Sequence, residues 1–496
     1  MNSHPPGARS LTPEQLLAAA STRRLLYIEA FPGSGKTTVS NQRFGFHRFA
    51  RTADHRAVVA VSFTCSATEE IRSRVSRQWG SSALGWPHRI VTLDTILNDL
   101  LVHLLWSGIL QWPGNHLELD VLDSWRTHLP TIYTRDKPVL ALDGTCIVAG
   151  SIRQVEREGH VDLAAFTSAI GEGRCTHENV REVLQAALRI EGIRASVKTY
   201  FATTIRSLLV DEVYDANDLD LEIIRLAADA GLSVTLVGDP WQALYGFRGA
   251  RPENVPRLLG LLDFERVKLQ TSFRWRGSIS QEVLAQRLRC KERACLSTGT
   301  AQDVDVVLAR QWKMLWDADS QVLPLAIARG RMGRFQEAVC TLLLNELAQN
   351  AIGRPAVFLN DARTTLGITD NEIPTKLRPH LQSVLGRLKG QGDLGAIWAS
   401  LVDTVVTMTP IEPATTQRRT PRTALSSLRM RLEIDRGSLV PGLTCHQAKG
   451  REWNRVGVRL EEADEEALRR GLNPGDEAHR ALYVALTRAR HLSLAV

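Results

Sequence analysis

The sequence predicts an α/β protein built from two parallel-sheet lobes, and three observations carry that prediction. Short β-branched apolar runs ending in small or acidic residues recur along the chain. Each is followed by a helix-like pattern, as expected for buried parallel strands joined by crossover helices. The runs also fall into two series, which points to two similar doubly wound lobes.

The first series reads RLLYIEA, AVVAVSFT, HRIVTLD, RSLLVDE and SVTLVGD. Between TLDTILNDLL and SLLVDE lies a mostly helical stretch that reads as a domain inserted into the first sheet. Within it, VLALDGTCIVAG places Asp143-Gly144 between apolar runs and predicts a hairpin. The second series reads RVKLQTSF, PLAIAR, AVFLN, GLTCH, RVGVRL and HLSLAV. TPIEPATTQRRTPRTA, residues 409–424, is rich in Thr, Pro and Arg and reads as a linker or loop. A solvated basic stretch explains its arginines more simply than a polyanion contact does.

Composition narrows the function classes. A chain of 496 residues is long enough for several domains, and its 61 Lys and Arg against 54 Asp and Glu give a net charge of +7. That balance favours a polyanionic partner without naming one. Seven cysteines without paired C-x-x-C spacing argue against a disulfide framework or a structural zinc site. The opening MNSHPPGARS has no apolar run, and nowhere do eighteen uncharged apolar residues follow one another. A soluble, cytoplasmic protein is expected.

IEAFPGSGKTT is the strongest local signal: a strand, the turn from Ala30 through Gly33 and Ser34 to Gly35, then Lys36 and Thr37 opening a helix. Glycines let backbone amides crowd a phosphate, and the helix N-terminus adds partial positive charge. Lys36 reaches the outer phosphates and the Thr37 hydroxyl can ligate Mg2+. Hydrolysis also needs an acid to orient the metal and a base for water. SLLVDE supplies both, with Asp211 for the magnesium and Glu212 for the attacking water.

Taken in order, the motifs resemble those of the UvrD/Rep-type superfamily 1 helicases over nearly the whole chain. LTPEQ, SFTCSATEEIRSRV, TLDTIL, LLVDEVYD, LVGDPWQALYGFRGA, LQTSFRW, TCHQAKGREW and EAHRALYVALTRAR carry the resemblance. It implies two RecA-like P-loop NTPase lobes. The first comprises residues 1–98 and 205–262, with a mostly helical insertion at 99–204. The second comprises 263–364 and 437–496, with a small insertion and linker at 365–436.

The resemblance also implies site roles. ATP is the expected cofactor together with Mg2+, held by Thr37 and Asp211. Gln15 reads the adenine edge, Phe273 stacks on the base, and Glu452 approaches the ribose. Gln242 senses the γ-phosphate; Arg274 and Arg488 touch it from the second lobe, and Arg480 with Tyr483 supports its shell. Phe63, Thr92, Phe247, Arg248 and His446 are implied contacts to single-stranded DNA, with Phe247 offering a face to an unpaired base. Tyr245 is left between core and DNA contact.

The pattern departs from the family at several points. Cys65-Ser66 stands where Asn-Lys is usual, Tyr214 replaces a Gln, Ser272 an Asn, and Thr38 a frequent Arg of the adenine sandwich. The insertion at 365–436 is expected to be reduced, and only six residues follow RAR, too few for a nuclease domain. The implied function is an ATP-dependent translocase and helicase on single-stranded DNA and duplex junctions, moving 3′ to 5′, in repair, recombination or defence. The alternative is a DNA-gated ATPase switch that regulates a partner such as a nuclease. A phosphate-loop kinase leaves the arginines of the second series without a role.

Overall fold

A computed structural model describes residues 11–125, 128–327, 332–368, 372–411 and 418–496. Its two units divide after Arg274.

In the first unit α1 (Pro13–Ala20) leads to β1 (Leu25–Ala30), α2 (Lys36–Arg48), β2 (Ala57–Ser62), α3 (Cys65–Trp79), β3 (Arg89–Thr92) and α4 (Leu93–Trp106). An insertion follows, containing β4 (Asp120–Leu122), β5 (Thr131–Asp143), β6 (Cys146–Val161), α5 (Leu163–Gly171), β7 (Arg174–Thr176), α6 (His177–Ala187) and α7 (Glu191–Thr204). The sheet resumes with β8 (Ile205–Val210), α8 (Asp218–Asp229), β9 (Ser233–Gly238), α9 (Val255–Leu261) and β10 (Glu265–Leu269). Its strands run in the order β10-β1-β9-β8-β2-β3, and every pairing is parallel. All six residues of β2 are buried, which is why AVVAVS reads as a continuous apolar run rather than an alternating one.

Two expectations change here. RVKLQTSF does not open the second lobe: β10 pairs with β1 in register Leu26↔Glu265 to Ala30↔Leu269. An apolar run identifies a strand but carries no label for the sheet it joins, so the limit expected at 262/263 moves to 274/275. The limit expected at 98/99 falls inside α4, whose buried leucines form one uninterrupted helix face.

The insertion is helical in α5, α6 and α7, yet its longest feature is the β5–β6 hairpin. Gly144, at φ +62°, and Thr145 form its two-residue loop. The pairing breaks between Thr134↔Glu158 and Asp136↔Arg153, so residues 154–157 lie opposite Arg135 alone. Val155 in this bulge is 90% exposed. The loop end is tied down by Gln111, which accepts from Ile147 N–H, and Glu182 accepts from Leu140 N–H.

The second unit holds α10 (Ile279–Arg289), β11 (Ser297–Thr298), β12 (Val306–Ala309), α11 (Trp312–Trp316), β13 (Val322–Pro324), α12 (Arg334–Ile352), α13 (Leu359–Thr365), α14 (Glu372–Lys389), α15 (Leu394–Met408) and α16 (Arg422–Glu433). It closes with β14 (Val440–Thr444), α17 (Cys445–Ala448), β15 (Trp453–Val458), α18 (Glu462–Arg470), α19 (Glu477–Leu486) and β16 (Ala489–Ala495). The sheet order is β11-β16-β15-β12-β14-β13, again with parallel pairings. Mixed α/β architecture with two all-parallel sheets is the RecA-like pattern the sequence predicts.

AVFLN is not a strand: its first residues form a turn and Leu359 begins α13. The run is too short for periodicity to separate strand from helix. The strand it displaces is β12, fully buried and central in the sheet. β13 ends where PLAIAR begins; Leu325 N–H donates to Gly442 O, and residues 328–329 of that run lie outside the described residues. In the expected linker at 409–424, residues 412–417 also lie outside them, while Arg422–Ala424 are already helical in α16. Buried Arg431 fastens α16 to the sheet, donating to Val322 O and Trp316 O at 3.1 and 3.0 Å.

Candidate nucleotide site

Three neighbouring strands of the first sheet, β1, β9 and β8, end on the same side because they are parallel. Ligands of open α/β sheets bind beyond such carboxyl ends. β1 ends at Ala30, and residues 31–35 turn into α2, whose N-cap is Gly35. Gly33 at φ +73° and Gly35 at φ +86° take left-handed conformations. Space demands glycine as well. A Cβ on Gly33 would lie 2.6 Å from Arg274 Cβ, and one on Gly35 would lie 2.6 Å from Gln15 Nε2.

Lys36 is the first residue of α2 and Thr37 the second, so the helix N-terminus faces the turn, and no side chain caps it. Lys36 Nζ lies 2.5 Å from Glu212 Oε1, with side chains only 14% and 22% exposed. Glu212 follows β8 at φ +57°, a region costly for a non-glycine residue and concentrated at functional sites. Asp211 is 6% exposed; its Oδ1 accepts from Glu212 N–H at 3.1 Å. Its backbone N–H donates to Val61 O, continuing the bonding between β8 and β2. Lys36 and Thr37 thus follow the end of β1 and the paired carboxylates the end of β8, with β9 between the two strands, and the Lys36–Glu212 ion pair spans that gap. One hydroxyl and one carboxylate suit Mg2+, which keeps several waters and borrows phosphate oxygens.

β9 ends at Gly238, and the following Asp239 is fully buried. Its carboxylate accepts from Trp241 N–H and, at 2.7 Å, from Gln242 Nε2. Gln242, 4% exposed, is therefore held in one orientation. Five residues on, Phe247 is 66% exposed. The Arg248 guanidinium carbon lies 5.3 Å from the Tyr245 ring centroid and 5.6 Å from that of Phe247. The loop rejoins the acidic segment through Arg251 N–H donating to Ala216 O at 2.8 Å. A buried carboxylate, an amide and an exposed aromatic face therefore share one short, anchored stretch.

Thr12 caps α1 and Gln15 completes the capping box. Gln15 is buried; its Oε1 accepts from Thr12 N–H and its Nε2 donates to Ser34 O at 2.8 Å. The residue expected at the adenine edge is thereby joined to the phosphate loop. Phe273 and Arg274, expected from the second lobe, belong to the first unit, because β10 ends four residues before Phe273. Phe273 N–H donates to Gly33 O at 2.9 Å, and Ser272 Oγ donates to Pro32 O at 2.9 Å. Thr38 sits in the first turn of α2.

In the second unit Arg480 and Tyr483 lie on α19 and Arg488 just beyond it, all three buried. Arg480 Nη1 donates to Pro474 O at 2.7 Å, and Arg488 Nε donates to Val484 O at 3.0 Å. Glu452 pairs with Arg490 at 3.2 Å. His446 is half-buried on the short α17.

Among the remaining expected strand contacts, Phe63 is half-buried against the core of the first unit and Thr92 caps α4. Cys65 is exposed at the first position of α3, whose cap is Thr64. Tyr214 is buried, its hydroxyl 3.2 Å from that of Tyr27 on β1. A Cβ on Gly238 would lie 2.9 Å from the Tyr214 ring, so the aromatic replacement is accommodated by packing against that glycine. Glu14, Asp239 and Ser272 also belong to this site, beyond the residues the sequence points to. Asp239 had a legible signal, an acid directly after a buried strand; the other two act through backbone groups that sequence does not display.

The family described as the UvrD/REP helicase N-terminal domain matches residues 11–132 and 172–260. The break between the two matched stretches covers most of the β5–β6 hairpin and α5. The chain is 27% identical over 309 residues to DNA helicase II of Escherichia coli strain K12, covering 54% of this chain and 39% of the relative. It is 25% identical over 301 residues to the ATP-dependent DNA helicase Rep of the same strain, covering 54% and 42%. Similarity to the ATP-dependent DNA helicase UvrD1 of Mycobacterium bovis is 26% over 287 residues, covering 52% and 35%. The chain thus matches about two fifths of the length of these relatives. With that domain matched over most of the first unit and the motifs at the ends of its parallel strands, the first unit carries a UvrD/REP helicase N-terminal domain, and the chain is similar to the UvrD/Rep-type helicases.

Proposed function

We propose that the protein is an ATP- and Mg2+-dependent motor on single-stranded DNA that translocates 3′ to 5′ and opens duplex junctions. The observation that carries this is the Lys36–Glu212 ion pair beside the glycine turn. A triphosphate seated on the turn offers Lys36 a stronger anion and releases the Glu212 carboxylate to orient or deprotonate water. Thr37 and Asp211 are the residues that would hold magnesium, which would supply charge neutralisation for the transferring phosphoryl group. Gln242 and Arg274 are assigned to the γ-phosphate from the first unit, and Arg488 with Arg480 and Tyr483 from the second. Gln15, Phe273 and Glu452 serve the nucleoside. Phe247 and Arg248 grip the strand, aided by Phe63, Thr92 and His446. Residues 99–204 and 365–436 act as insertions in the two lobes, and repair, recombination or defence are the settings that need such a motor.

The exposed Cys65 at the head of α3, where the family's Asn-Lys would contact DNA, favours a second reading. There the chain is a DNA-gated ATPase switch in the cytoplasm, regulating a partner such as a nuclease. One experiment separates the readings. Lys36→Ala should abolish ATP turnover while single-strand binding stays measurable, and an unaltered rate removes the phosphate-loop assignment. In parallel, brisk DNA-stimulated hydrolysis by the unmodified protein without strand displacement selects the switch.

A further inference from the structure

The segment between β10 and the start of the second unit, residues 270–274, has left the sheet, so its backbone donors need partners elsewhere. They find them in an ordered way. Gln270 N–H and Thr271 N–H donate to the two oxygens of one carboxylate, Glu14, at 2.9 and 2.8 Å. Phe273 N–H donates to Gly33 O at 2.9 Å, and Arg274 N–H donates to Ser272 Oγ at 3.3 Å. The same Ser272 hydroxyl spends its proton on Pro32 O at 2.9 Å. Since Glu14 sits on α1 next to Gln15, which bonds Ser34 O, one helix anchors both the phosphate loop and the segment lying over it.

The contact is too close for slack. Gly33 has no room for a Cβ because Arg274 Cβ and Ser272 Oγ would stand 2.6 and 2.7 Å from it. Partial burial pushes the Glu14 carboxyl up, but the amides of Gln270 and Thr271 outweigh it and hold the group below its usual range, as expected for charge-assisted acceptance. The Asn usual at position 272 in the family is thus replaced by a hydroxyl that both donates and accepts at the phosphate loop.

We infer that Glu14 and Ser272 are positioning residues that strap segment 270–274 onto the phosphate loop and thereby set the placement of Arg274. The inference rests on the ATPase reading above. The strap acts on the rate through Arg274, so removing it is equivalent to misplacing that cation by a fraction of an ångström.

The test is a double-mutant cycle on the full chain, reading kcat and, separately, ATP affinity by equilibrium binding. Ser272→Ala is expected to lower kcat about tenfold at near-constant affinity. Ser272→Thr, which keeps the hydroxyl, should recover most of that loss. Ser272→Ala added to Arg274→Ala should cost nothing more, because the cation it positions is already gone. Glu14→Ala should reproduce the Ser272→Ala phenotype; should it fail to fold, the serine series still decides. A Ser272→Ala enzyme with unchanged kcat, or losses that multiply in the double variant, overturns the inference. Lys36→Ala that still hydrolyses ATP defeats the ATPase reading itself; an inactive Lys36→Ala beside a fully active Ser272→Ala defeats the strap alone.

Discussion

Phe247 shows how much a single residue can say. A large aromatic side chain that is 66% exposed gives up burial worth about 1.5–3 kcal/mol, so its position answers to something other than the core. Stacking on an unpaired base contributes about 1–3 kcal/mol, enough to explain the exposure. Phe247→Ala should therefore weaken single-strand binding roughly tenfold or more while leaving thermal stability unchanged. Fluorescence anisotropy on a labelled oligonucleotide reads the first, and a melting curve the second; unchanged binding excludes Phe247 as a stacking platform. Tyr245 differs, since it is half-buried with Arg248 over its ring, and so braces the loop from within. At this scale the glycine turn, Lys36 and the acidic pair were legible, because each is an unusual residue at a strand end. Glu14 and Ser272 were not, because an ordinary Glu on a helix and a Ser in a loop acquire their partners only after the fold brings residues 14 and 270–272 together.

Elements were legible wherever burial on both faces produced a continuous apolar run, as in β1, β2, β8 and β9. The same signal gave the wrong sheet for β10 and the wrong element for AVFLN, since a run reports burial and not the identity of its neighbours. Burial has a second consequence for α2 and the approach to β3. His47 on α2 is pushed down to about 3 by burial, with Arg43 and Arg206 adding repulsion. His88 is pushed down to about 4 by burial and the charges of Arg48 and Arg206, and its Nδ1 accepts from Val58 N–H. Both imidazoles are thus neutral in the fold but gain protons in the unfolded chain near the ordinary 6.5. The unfolded state binds more protons below that value, so stability is full above it and erodes as pH falls toward 4. Denaturant midpoints measured between these limits should fall with acidification, and His88→Gln should flatten the slope. An identical slope in the variant would place the acid sensitivity elsewhere.

For the whole molecule, the division after Arg274 has a practical meaning. Residues 11–274 keep β10 on the flank of β1 and the strap on the phosphate loop. A chain ending at 262 loses both and leaves the outer edge of β1, with its unpaired backbone groups, open to solvent. The longer piece should unfold cooperatively and stay monodisperse in sedimentation, whereas the shorter should associate; equal behaviour of the two would show that β10 is dispensable to the first unit. Fold class and the two-lobe plan were readable in the chain because they depend on periodicity, while the limits between lobes depend on long-range pairing that periodicity does not encode.

The β5–β6 ribbon, most of which lies in the break of the family match, leaves Tyr133 72% and Ile152 58% exposed. A long two-stranded ribbon carrying apolar side chains invites another chain to zip alongside it. The three extra residues in this bulge, four on one strand against Arg135 on the other, answer that hazard, since they throw any incoming strand out of step after a few residues. Straightening the ribbon by removing three of residues 154–157, so that one remains opposite Arg135, would take away this irregularity and hand the protein a smooth seam for self-association.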